Sequence, residues 1–122
     1  MGTYIAKKIQ DTRNDLSDVA LRINHLKATL TSRYNQQKML RNNIWRLEKR
    51  ENILLSRQMH SNDVRERNEL REVRKELDED KYSYQINKQL IKEWEGEIKD
   101  LSKRFKSLQI ILSLDLIKYK KG

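Results

Sequence analysis

Apolar residues recur at alternating three- and four-residue steps along nearly the whole chain. The first run is Ile5, Ile9, Thr12, Leu16, Val19, Ile23, Leu26, Leu30, Arg33, Gln37, Leu40, Ile44, Leu47, Glu51 and Leu54, and 11 of these 15 positions are apolar. The pattern breaks around Met59 to Arg65. It resumes at Leu70, Val73, Leu77, Asp80, Tyr84, Asn87, Ile91, Trp94, Ile98, Leu101, Phe105, Leu108, Leu112, Asp115 and Tyr119, where 12 of 15 are apolar or aromatic. A step of three and four keeps residues on one stripe of an α-helix, whereas a strand needs period two. The pattern therefore predicts an all-α fold: two long helices forming an antiparallel coiled-coil hairpin. Arm one covers about residues 4–58, the bend about 59–65 and arm two about 66–120, all in one domain (1–122).

Folding the chain back so that paired residue numbers sum to 124 sets every seam residue opposite another. Leu54 then meets Leu70 and Ile5 meets Tyr119. Polar Gln37 meets polar Asn87, so that a buried amide can bond instead of standing unsatisfied, and such a layer favours one register. The fold-back point is Asn62, within Ser61-Asn62-Asp63, residues that favour turns and helix caps. At about 1.5 Å per residue each arm would extend roughly 80 Å. Leu101 and Trp94, mid-seam opposite Ile23 and Leu30, are expected to hold the arms together.

Composition fits long solvent-washed helices: 37% charged residues, no proline and three glycines, with a mean hydropathy of -0.98. Zero cysteines remove disulfide and thiolate chemistry and fit a reducing compartment. The longest apolar stretch, Leu108 to Ile117, is interrupted by Gln109, Ser113 and Asp115 and is too short to cross a bilayer. The chain opens Met-Gly, but Ala6 stands where a myristoylation signal wants Ser or Thr, and no signal peptide follows. A cytoplasmic location is the simplest expectation.

Chemistry of a catalytic kind is not signalled. His25 and His60 lie far apart in sequence and in no metal-ligand spacing, and both read as surface residues. Gly2, Gly96 and Gly122 make no phosphate loop. A two-helix hairpin also lacks the water-excluding pocket that orients a substrate. Neither enzyme activity nor a cofactor or metal is expected.

The net charge of +9 is uneven, since residues 1–61 hold 12 basic and 5 acidic side chains. Arg41, Arg46, Lys49, Arg50 and Arg57 gather near the bend with Arg65, Arg67, Arg71, Arg74 and Lys75, interleaved with Glu66, Glu69 and Glu72. Helix-face pairing explains such interleaving, and an acidic docking partner is the functional alternative. Nucleic acid is disfavoured because Glu76, Asp78, Glu79, Asp80, Glu93, Glu95, Glu97 and Asp100 would repel a phosphate backbone along arm two.

Apolar residues outside the seam carry the functional expectation. Ile110, Ile111, Leu114, Leu116 and Ile117 put apolar side chains on nearly every other face of the second helix end. Leaving each in water forgoes about 1.5–3 kcal/mol relative to full burial, so another surface is expected to cover them: a different protein or a second copy. Met39, Trp45, Ile53, Leu55 and Met59 form a weaker set near the bend. A docking site there would use Met39, Trp45 and Met59, with Arg46 and Arg50 steering the partner.

A short, basic, proline-free hairpin with an apolar terminal tip, and with Trp94, Phe105 and Tyr119 on its second arm, resembles the central stalk proteins of type III secretion and flagellar export ATPases. Those are similar in architecture to the coiled-coil part of the rotary ATPase gamma subunit. The resemblance covers the whole chain and rests on length, topology, charge and tip character. It implies a stalk whose terminal end enters the pore of a hexameric secretion ATPase while the other end reaches toward the export gate protein. Two other classes stand beside it. One is a coiled-coil adaptor or export chaperone that binds partner helices or export substrates through its arms, using Met39 and Trp45, with export chaperones also among the expected partners. The other is a basic hairpin on nucleic acid, using Arg41, Arg46, Lys49 and Arg50, which a steep salt dependence of binding would reveal.

Overall fold

A computed structural model describes residues 2–121 as two helices, α1 (Gly2–Gln58) and α2 (Val64–Lys121), joined by residues 59–63. Gly122 lies outside the described residues. The chain is an all-α helical hairpin, and its cross-helix contacts run antiparallel, from Lys8 with Asp115 to Arg57 with Glu66. Two uninterrupted helices follow from a sequence without proline and with its one interior glycine, Gly96, on an exposed face. An added Cβ there meets nothing within 4 Å. Gly96→Ala should therefore stabilise the protein by about 0.5–1 kcal/mol through helix propensity, read as a higher urea midpoint. A lower midpoint would mean that the backbone there is not helical.

The bend is built by Asp63. Its carboxylate accepts the Arg65 N–H at 2.9 Å and its carbonyl accepts the Arg67 N–H at 3.1 Å, so Asp63 is the N-cap of α2. That cap starts the helix at Val64, two residues before the position expected from the seam. Glu66, in the first turn, accepts from Arg57 of α1 at 3.2 Å and ties the two helix ends together. On the α1 side the His60 N–H returns to the Arg57 carbonyl at 3.0 Å.

Contacts divide the chain into two compact units, 32–92 and 1–31 with 93–122. The first holds a buried cluster of Leu47, Leu54, Leu70, Val73 and Leu77, with Ile44 and Leu55 packed against it. Leu54 is fully buried. Its polar layer is the expected one: Asn87 Nδ2 donates to Gln37 Oε1 at 2.8 Å and to the Arg33 carbonyl at 3.0 Å. Gln37 Nε2 in turn donates to the Tyr84 carbonyl at 3.3 Å. This exchange requires the register in which Gln37 faces Asn87. Glu48 with Lys81, Arg50 with Glu69, Glu51 with Arg74 and Arg57 with Glu66 bridge the helices along the seam. All are partly solvated, so each contributes only tenths of a kcal/mol while favouring this pairing direction.

In the second unit Ile9, Thr12, Val19, Leu26, Leu30 and Asp115 are buried. The Thr12 hydroxyl donates to the Lys8 carbonyl at 2.9 Å, which satisfies it inside its own helix. Asp115 Oδ1 pairs with Lys8 Nζ at 3.4 Å. On α2 the coverage is thinner than the seam implies. Trp94 and Leu101 are half-buried, and so are Ile98, Phe105, Leu108 and Leu112. Leu101 and Trp94 keep part of their surface in water, so they anchor the hairpin less than the buried Leu26, Leu30 and Leu54 do. The last layer is open, with Ile5 half-buried and Tyr119 51% exposed.

Candidate functional site

The seam of α2 near its C-terminus turns Leu108, Leu112 and Asp115 toward α1, which leaves the opposite face of the helix bare. Ile110, Ile111, Leu114 and Ile117 are 62%, 41%, 54% and 50% exposed. Ile110, Leu114 and Ile117 stand at i, i+4 and i+7, which on a 3.6-residue period is a single row, and Ile111 borders it. Leu116 is different. It is half-buried and belongs to the flank of the hairpin rather than to the bare row. A shallow groove along the row is lined by Lys106, Gln109, Ile110, Ser113 and Leu114. The Ser113 hydroxyl donates to the Gln109 carbonyl at 3.0 Å, so this groove's hydroxyl is turned back onto its own helix.

The same periodicity places four lysines around the row, a feature the apolar pattern alone does not announce. Lys103 lies seven residues before Ile110 and Lys121 seven after Leu114, in line with the row; Lys106 lies four residues before Ile110 and Lys118 four after Leu114. All four are exposed.

The set near the bend is not brought together. Met39, Trp45 and Met59 are exposed at 66%, 60% and 83%, but Met39 and Trp45 are six residues apart on α1, which sets them about 120° apart around the helix. Met59 lies beyond the helix, in the turn. Lys49 Nζ sits 3.8 Å from the centroid of the Trp45 ring and covers part of it. Leu55 packs on the buried cluster and is not a surface residue. Arg46 is exposed, whereas Arg50 is half-buried and pairs with Glu69 across the hairpin at 2.7 Å.

Part of the basic zone is engaged in pairing of this kind. Arg57 and Arg74 are also bridged to glutamates, and Arg41 donates to the Tyr84 hydroxyl at 3.5 Å. That hydrogen bond, helped by the charges of Arg41 and Lys88, holds the Tyr84 pKa below its usual value. His25 and His60 are exposed. Among the described residues there is no group of three or more His, Cys, Asp or Glu placed to hold a metal ion, and no helix is long and apolar enough to cross a membrane.

No family model matches the chain, and neither the curated proteins nor the solved structures contain a match.

Proposed function

We propose that the chain is a non-enzymatic central stalk of a type III export system, acting in the cytoplasm with its terminal unit in the pore of a hexameric secretion ATPase. The observation that carries this reading is the bare row of Ile110, Leu114 and Ile117 with Ile111, on a helix whose seam is already occupied by α1. Apolar contact is non-directional. A sleeve around such a row can hold the helix tightly without the directed bonds that would lock one rotational angle. In this role the stalk promotes ring assembly and ATP turnover, and the bend unit is left to reach the export gate protein.

A coiled-coil adaptor that meets partner helices or export chaperones through its arms is the second reading, favoured by the exposure of Trp45. Nucleic acid finds less support, since Arg50, the bend-side member of that set, already faces a glutamate and Arg41 a tyrosine. The test is to add the full chain to the hexameric export ATPase of the same genome and follow sedimentation and steady-state turnover. Increased ring assembly and faster turnover are expected. Absence of any ATPase binding would leave the adaptor reading.

A further inference from the structure

The row at the end of α2 has a charge pattern as well as an apolar one, and together they describe its occupant. Between residues 103 and 121 the sequence holds Lys103, Arg104, Lys106, Lys118, Lys120 and Lys121 against one acid, Asp115. That acid is turned into the seam, where its side chain is 5% exposed and paired with Lys8. No carboxylate of this segment therefore faces the row. Residues 2–10 of α1 add Lys7, and Lys8 in its pair with Asp115, before the first acid of that helix at Asp11.

Three occupants fit an exposed apolar row in principle. A second copy would lay its row on this one. Antiparallel pairing centred on Leu114 sets Lys106 and Lys103 of each copy near Lys121 and Lys118 of the other, and parallel pairing sets each lysine beside its own equivalent. Both arrangements place like charges around the contact, which disfavours them. A lipid surface takes up a helix with a broad apolar face, commonly with aromatic residues at its edge. Here the row is narrow and aliphatic, with the three-and-four spacing by which one helix seats another.

We infer that the end of α2 is a docking face for an acidic amphipathic helix of another protein. That helix packs its own three-and-four apolar row on Ile110, Leu114 and Ile117 and sets Asp or Glu side chains against Lys103, Lys106, Lys118 and Lys121. It becomes the third helix of the terminal unit. The inference rests on the stalk reading only for the owner of the helix, the wall of the ATPase pore; its chemistry is carried by the row and the lysines.

Two labelled synthetic peptides test it without any ATPase. Both carry the same leucine row at three-and-four spacing; one has Glu at the flanking positions, the other Lys. Fluorescence anisotropy with the full chain should show the Glu peptide binding at least about tenfold more tightly, an advantage that shrinks as salt screens the flanking charges. I110D/L114D should abolish binding with circular dichroism unchanged, because neither residue is on the seam. K106E/K118E should shift the preference toward the Lys peptide.

The inference is overturned by equal affinity for the two peptides, by no binding of the Glu peptide, or by binding that survives I110D/L114D. It is also overturned if the chain alone forms a dimer that I110D/L114D dissolves, or if it floats with phosphatidylserine vesicles through those residues. Peptide binding without ATPase stimulation would remove the stalk reading and leave the docking face. Stimulation without peptide binding would do the reverse.

Discussion

Leu54→Ala should lower the free energy of unfolding by about 2–5 kcal/mol, the range for truncating a fully buried leucine. Leu54 is 0% exposed and packs among Leu47, Leu70, Val73 and Leu77. Removing its isopropyl group leaves a cavity flanked by two helices whose registration is pinned by Asn87 and by the Asp63 cap, so collapse can fill it only partly. Leu101→Ala, in contrast, truncates a half-buried side chain and should cost about 1–2 kcal/mol, in line with the smaller apolar area it removes from water. Urea titration followed by helicity gives both values. Equal losses, or no loss at Leu54, would show that the hydrophobic weight of the hairpin lies elsewhere.

The second large effect is at the amide layer. Asn87 is 2% exposed and donates both to Gln37 Oε1 and to the Arg33 carbonyl. Asn87→Leu leaves the Gln37 oxygen buried against an alkyl group, and an orphaned buried acceptor of this kind costs about 1–3 kcal/mol. Q37L/N87L removes both polar groups and should recover most of that loss, because an apolar pair of similar volume needs no hydrogen bond. The double variant should also discriminate less between registers, which is the specific role of such a layer. Additive destabilisation in the double-mutant cycle would mean that the two amides act independently, contrary to the 2.8 Å bond between them.

How far the sequence reveals the molecule follows from which properties are local. The spacing of apolar residues is local, so the two helices are legible; the Gln37 with Asn87 layer could be anticipated because both polar residues interrupt the seam at complementary places. The start of α2 was displaced because the seam marks where packing begins, while the helix begins at its cap, Asp63. Degree of burial depends on what the opposite helix can cover. Trp94, Leu101 and Tyr119 keep the seam spacing yet remain half-buried or exposed.

Candidate binding residues divide along the same line. Ile110, Ile111, Leu114 and Ile117 are legible by exclusion, since they cannot share the seam with Leu108 and Leu112. Leu116 is not, because its position beside the seam only acquires cover once α1 is in place. Near the bend, exposure of Met39, Trp45 and Met59 is correctly anticipated, but a common surface is not, because spacing of six residues separates faces. Arg50 pairs with Glu69 across the hairpin, a contact between side chains that no count of charges along one helix reveals. The lysines around the terminal row were in the sequence all along, visible once the row is taken as a seam of its own.

The bare row at the end of α2 is where the functional account is most exposed to test. With the full chain present, a hexameric export ATPase should turn over faster; I111D/L114D should remove that stimulation, since a charge forced into a desolvated apolar sleeve without a partner is strongly unfavourable. Circular dichroism of the variant should match that of the unaltered chain, as both residues lie off the seam and are already exposed. Steady-state ATP turnover measured with the folded double variant is the deciding quantity. Loss of stimulation at unchanged helicity is the result predicted here, and undiminished stimulation by the folded variant would contradict the row as the element that the ATPase grips.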